Sequence, residues 1–254
     1  LAHQAAIAIE NARLYSASLS KERLASLGEG ISGAAHCIKN IANLISFGSG
    51  SIELAIKNNN MDLVEKAWKA MQQGADRITE LTNDMLSYAK SQSLYRESTD
   101  VNAFLSEIIL LSEPACLPNN IMIKTDFNPQ LPPAPLDRGG IHRCLMNLIT
   151  NARDVLAETG GTITLRTDFN DKKGTLLISI TDNGPGIEAE DMKAIFDVFF
   201  STKGSHGTGL GLSTTKKIVT EHGGRIVATS DPGIETTFSI MLPLQSEAAC
   251  APGF

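Results

Sequence analysis

The chain has 254 residues, with 22 Lys and Arg against 28 Asp and Glu, a formal net charge of −6, 42% hydrophobic and 20% charged residues. The length allows one large domain or two modest ones, the apolar share supports a core, and the acidic balance argues against nucleic-acid binding, which leaves a basic stripe. Residues 1–99 carry ten basic and ten acidic side chains and no proline, while the whole net charge and all ten prolines fall later, which predicts two domains, the first helical.

The opening, Leu1-Ala-His-Gln-Ala-Ala-Ile-Ala-Ile-Glu, shows no initiator Met, basic leader or cleavage site. It starts inside an apolar periodic run and reads as a piece of a longer chain. No run of about 18 apolar residues stands out, so no membrane span is expected in these residues. The four cysteines (Cys37, Cys116, Cys144, Cys250) are too scattered for a zinc site or a disulfide framework and suit a reducing, cytoplasmic setting.

Ala5, Ile9, Ala12, Ser16 and Leu19 form a loose apolar seam, and the five-residue step to Leu24 breaks its register, as a stutter does. From Leu24 through Leu27, Ile31, Ala34, Ile38, Ile41, Ile45, Gly48, Ile52 and Ala55 the spacing alternates threes and fours, the heptad pattern of a helix that packs against others. A second seam runs through Val64, Ala67, Met71, Gly74, Ile78, Leu81, Met85 and Tyr88, and Asn58-Asn59-Asn60-Met61-Asp62 between the two predicts a turn. Two such helices leave apolar surface uncovered, so a second copy completing a four-helix bundle, a homodimer through residues 21–92, is the expected partner. His36 falls at heptad position f, pointing away from the seam. Gly28, Gly30, Ser32, Gly33, Ala34 and Ala35 keep the surrounding helix small-sided, leaving room for another part of the protein to approach an imidazole that is nucleophilic near neutral pH.

Beyond residue 100 helices alternate with strands: helix 101–117, strand 121–127, helix 140–158, strands 162–169 and 175–181, helix 210–222, and strands 225–230 and 235–242. Hairpin connections with helices to one side predict an α+β two-layer sandwich rather than a doubly wound sheet. There is no GxxxxGK[ST] run. Asp182-Asn183-Gly184-Pro185-Gly186 ends a strand, and its carboxylate can accept from an exocyclic amine while the glycines admit a flat ligand. Gly207-Thr208-Gly209-Leu210-Gly211-Leu212 precedes a helix, where amides can cradle phosphates. Asn147 and Asn151 share one helix face, where amides can ligate Mg²⁺ or orient phosphate.

Together these boxes resemble the histidine kinases of two-component signalling, over about residues 20–245. The stretch around Asn147–Asp154 is similar to the family's N box, Asp182–Ile187 to the first glycine box, and Ile195-Phe196-Asp197-Val198-Phe199-Phe200-Ser201-Thr202-Lys203 to the F box and lid. Residues 207–212 resemble the second glycine box, and Ala25-Ser26-Leu27-Gly28-Glu29 through His36-Cys37-Ile38-Lys39-Asn40 the phosphoacceptor box. Residues 1–15 resemble the exit helix of a GAF sensor domain. The resemblance implies a Bergerat-type ATP-binding fold of histidine-kinase ATPase type and this division: signalling helix 1–20, dimerisation and phosphotransfer hairpin 21–92, linker 93–100, catalytic domain 101–245 and a disordered tail 246–254. It implies ATP and Mg²⁺ as cofactors. Asp182 would hold the adenine amine with Gly184, Gly186 and Ile187 beside it, Thr237 would lie near the ring, and Asn151 would ligate the metal. Lys203, Gly207, Thr208, Gly209, Leu210 and Gly211 would contact the phosphates. His36 would be the phosphoacceptor, with Asn147 near the reacting group, and a response regulator receiver domain the phosphoryl acceptor.

Two positions depart from that family pattern. Cys37 stands where an acid usually follows the histidine, which predicts slow autophosphorylation, and Ile41 replaces a common proline, which predicts an unkinked helix. Asn40 keeps phosphatase activity toward the regulator open. The rival class is a non-catalytic dimeric nucleotide-binding scaffold that has lost phosphotransfer through Cys37. A gyrase-type ATPase would share the pocket but has no use for the His36 hairpin.

Overall fold

The computed structural model describes residues 31–89, 94–203 and 207–244. The expectations for the signalling helix, the start of the first seam, the Leu19–Leu24 step and the tail lie outside these residues. The chain divides into two compact units: the two long helices together with Asp197–Leu210, and Ser93–Phe196 together with the chain from Gly211 onward.

In the helical unit, α1 (Ile31–Lys57) and α2 (Met61–Ala89) form the expected hairpin. Asn60 caps α2, its Oδ1 accepting from the Leu63 amide at 3.1 Å, and Asn59 takes a left-handed φ of 52°. The two heptad positions behave differently. Ala34, Ile41, Gly48 and Ala55 of α1 and Ala67, Gly74 and Leu81 of α2 are buried, whereas Ile38 and Ile78 remain 50% and 43% exposed. The cause is the small residues on the inner seam, which draw the helices together: a Cβ on Gly74 would stand 2.6 Å from Ile45 Cγ1.

In the second unit, α3 (Val101–Cys116), α4 (Arg138–Leu156) and α5 (Gly211–Glu221) pack on a five-stranded sheet. Its strands are β2 (Ile121–Phe127), β4 (Gly161–Asn170), β5 (Thr175–Asp182), β6 (Arg225–Asp231) and β7 (Glu235–Pro243), in the order β2-β4-β5-β7-β6. Among the described residues, only the β2–β4 pair of this sheet is parallel. This is the predicted α+β sandwich. Alternation sorts the side chains, because successive residues of a strand point to opposite faces. Ile163, Leu165, Ile178, Ile180, Phe238 and Ile240 are all 6% exposed or less and build the core face. Thr164, Arg166, Ser179, Thr181, Thr237 and Ser239 line the other face.

Two expectations are corrected. The 93–100 linker is part of the second unit: β1 (Glu97–Thr99) pairs antiparallel with β3 (Ala134–Leu136), and Arg96 Nη2 donates to the His222 carbonyl at 3.2 Å. Three-residue strands lack the alternation that reveals longer ones. The stretch Val101–Asn119 is, by length and composition, apolar enough to cross a membrane, contrary to the sequence reading. Its α3 packs inward through Phe104, Leu105 and Ile108 as a core helix does.

Candidate functional site

At one end of the core face the apolar rows give way to a polar one. Register places Ile163, Asp182, Thr236 and Ser230 side by side across β4, β5, β7 and β6. Asp182 is 4% exposed, and its Oδ1 accepts from the Gly184 amide at 3.1 Å. Burial pushes its carboxyl above the ordinary value, and the Gly184 hydrogen bond works against that rise. A Cβ on Gly184 would stand 2.7 Å from Asp182 Oδ1, so the position admits no side chain without moving the carboxylate. Gly186 is required for a different reason than access to a flat ligand. Its φ is 74°, and a Cβ would lie 2.6 Å from the Asp231 carbonyl oxygen. The Ile187 amide donates to Ser230 Oγ at 2.8 Å, and Asn183 Oδ1 accepts from the Thr162 amide at 2.7 Å, so the loop is tied to β4 and β6.

Thr237 does not join this row. Its hydroxyl is 2.8 Å from that of Thr181 on the opposite face, where the sheet separates it from Asp182. Thr236 occupies the place expected of it, 4% exposed and 3.1 Å from Ser230 Oγ. The sequence reading missed Thr236 and Ser230, although the period of two through Phe238, Ile240 and Leu242 points to 236 as inward-facing.

Asn147 and Asn151 lie one turn apart on α4, both partly buried. Asn147 Nδ2 donates to the Gly211 carbonyl at 3.1 Å and approaches Thr215 Oγ1 at 3.4 Å, joining α4 to the first turn of α5. Phe196 packs edge-to-face on Phe238, with centroids 6.4 Å apart, and Lys216 Nζ sits over its ring.

The next residues belong to the other unit. Lys203, Gly207, Thr208, Gly209 and Leu210 fall within Asp197–Leu210, grouped with the hairpin. The predicted nucleotide residues are therefore divided: Asn147, Asn151, Asp182, Gly184, Gly186, Ile187, Gly211 and Thr237 in one unit, these five in the other. Leu210 is fully buried with Ile41 and Leu81, and Cys37, Ile45, Met85, Val198 and Phe199 pack around them. The Lys203 amide donates to Ser201 Oγ.

Residues 136–246 match the family described as histidine kinase-, DNA gyrase B- and HSP90-like ATPases. The sensory histidine kinase/phosphatase NtrB of Azospirillum brasilense is 33% identical over 186 residues, covering 68% of this chain and 46% of that protein. The signal transduction histidine-protein kinase AtoS of Escherichia coli is 29% identical over 226 residues, covering 89% of this chain and 36% of that one. Among solved structures, the catalytic domain of the histidine kinase ThkA is 30% identical, with a TM-score of 0.53, covering 59% of this chain and 95% of that domain. ThkA in a complex with the response regulator protein TrrA shares the fold over 89% of this chain and 64% of that one, with a TM-score of 0.70 and 24% identity.

The chain belongs to the sensor histidine kinases. It carries their Bergerat-type ATPase domain, and it spans 36% to 50% of the length of the first curated relatives it matches. In this histidine kinase His36 and Asn40 lie one turn apart on α1, and Asn40 is partly buried. The outward placement expected of the His36 side chain falls outside the described residues. Cys37 is partly buried; desolvation raises its thiol above the ordinary value, and Arg77 pulls the other way. No group of three or more His, Cys, Asp or Glu side chains able to hold a metal occurs among the described residues. An Mg²⁺ ion that keeps its waters and substrate phosphates needs only one or two protein oxygens, so the partly buried Asn151 amide fits that demand.

Proposed function

We propose that the protein autophosphorylates on His36 with ATP and passes the phosphoryl group to an aspartate of a response regulator receiver domain. The observation that carries this reading is the buried Asp182 carboxylate, pinned by Gly184 and aligned with Thr236 and Ser230. A buried acceptor at the end of an apolar face suits the exocyclic amine of adenine, because burial strengthens the hydrogen bond and excludes ligands that offer no donor.

Asn151 would hold Mg²⁺, which when bound neutralises phosphate charge. Lys203, Thr208 and the 207–211 amides would orient the phosphates, and Asn147 would position the reacting end through its tie to Gly211. The neutral His36 imidazole attacks the γ-phosphorus in line; an N–P bond forms, the bond to the bridging oxygen breaks, ADP leaves, and the ring's other N–H proton passes to a base or to water. Asn40, one turn on, supports regulator phosphatase activity. Exposed Ile38, Phe47, Leu54 and Trp68 support a homodimer through the hairpin. The free cysteines support a cytoplasmic location.

The second reading, a nucleotide-binding scaffold without phosphotransfer, is favoured by one observation: Cys37 is a desolvated thiol where a base would help. Incubation with γ-labelled ATP and Mg²⁺ separates the two. Acid-labile, base-stable label on the wild type and none on His36→Gln supports the kinase. Nucleotide binding without label supports the scaffold.

A further inference from the structure

Thr208 is tied to the hairpin. Its Oγ1 donates to Asp84 Oδ2 on α2 at 3.0 Å and accepts from the Leu210 amide at 3.3 Å. Beside it Leu210 is fully buried on Ile41 and Leu81. At the other end of the segment Phe199 adopts a φ of 66°, a left-handed backbone that is an outlier for a bulky residue, and accepts this while packed on Gly33. The Phe199 amide donates to the Gly209 carbonyl at 3.0 Å. Gly33 leaves the room that Phe199 uses: a Cβ there would stand 2.6 Å from Phe199 Cβ.

We infer that Asp84 and Thr208 form a latch that competes with nucleotide, so that holding the loop on the hairpin and binding phosphate with it exclude one another. The inference rests on the proposed nucleotide reading of Thr208. A hydroxyl has one proton, and Asp84 takes it. The Leu210 amide is likewise engaged by Thr208. A phosphate that claimed these donors would stand against the Asp84 carboxylate, and like charges at that range repel. Two states that use the same donors are linked: whatever favours the latched loop lowers nucleotide affinity by the same factor, and nucleotide loosens the loop in return. Asp84 thus acts on the loop as a positioning residue and does not touch substrate.

Two measurements on the 254-residue chain test this. Without nucleotide, amide hydrogen exchange across 197–210 should be faster in Asp84→Ala and in Gly33→Ala than in the wild type. With Mg²⁺ and ADP, calorimetric titration should show binding tightened about fivefold or more in both variants. Gly33→Ala carries no charge change, so agreement between the two separates loss of the latch from loss of an acidic side chain. Unchanged exchange in both variants would overturn the latch. Faster exchange with unchanged ADP affinity would overturn the competition. ADP binding that is absent in every variant, with faster exchange retained, would strike instead at the nucleotide reading.

Discussion

Asp182 and Thr236 face each other across β5 and β7 on the helix-covered side of the sheet, while the adjoining pair, Thr181 and Thr237, bond to one another on the far side. The two threonines therefore separate cleanly by experiment. Thr236→Val should weaken ADP binding about tenfold through loss of a buried hydroxyl next to the Asp182 carboxylate, whereas Thr237→Val should leave affinity within about twofold. Calorimetric titration of both variants checks this, and equal effects would contradict the assignment of faces.

Asp182 also sets a pH dependence. Burial, joined by the Glu235 charge and opposed by the Gly184 amide, raises its carboxyl above the ordinary 3.8. A folded carboxyl with a raised value binds its proton more readily than the unfolded one. Between 3.8 and the raised value this group therefore adds stability as pH falls, and above that window its ionised form is a steady cost. Asp182→Asn should melt no lower than the wild type at pH 7 yet lose at least about tenfold in ADP affinity. Thermal melts from pH 4 to 8, run beside titrations, read both; a marked loss of stability at pH 7 would show that the carboxylate serves the fold instead.

Two glycines of the hairpin should respond in opposite directions. A Cβ on Gly50 meets nothing within 4 Å, so Gly50→Ala gains helix propensity of about 0.5–1 kcal/mol. At Gly74 the added atom would press on Ile45 at 2.6 Å, and the crowding should outweigh that gain, for a net loss of about 1 kcal/mol or more. Helix melting followed by circular dichroism distinguishes the two outcomes.

Cys37 limits phosphoryl transfer on the proposed reading. Its desolvated thiol stays protonated at neutral pH and accepts a proton poorly. Cys37→Glu should raise the initial rate of His36 labelling by about 10²-fold, the lower range of general-base assistance, while Cys37→Ser should not. If neither variant gains, the proton is taken by another group.

Much of this organisation was legible in the residues. The hairpin followed from unbroken heptad spacing, and β2 was expected over the same seven residues it occupies, Ile121–Phe127. Asp182, Gly184 and Asn147 could be singled out because local spacing delimits them, and the structure shows Asp182 pinned by the Gly184 amide and Asn147 tied to Gly211. Thr237 was misplaced although the period of two carried the information: Phe238, Ile240 and Leu242 face inward, and so must Thr236. The β1–β3 pair escaped because three-residue strands carry too little periodicity.

The sequence by itself determined the order of the long helices and strands and the family, since periodicity, turn chemistry and box order are local properties of the chain. Its −6 charge, lying wholly beyond residue 99, already shows that long-range attraction is not what draws an anionic nucleotide to the second unit. Tertiary structure decided which threonine stands beside Asp182, and it decided that Asp197–Leu210 packs with the hairpin, with Thr208 on Asp84. Those outcomes rest on contacts between residues far apart in the chain, on the register of β5 with β7 and on the space left by Gly33, and no single segment contains them.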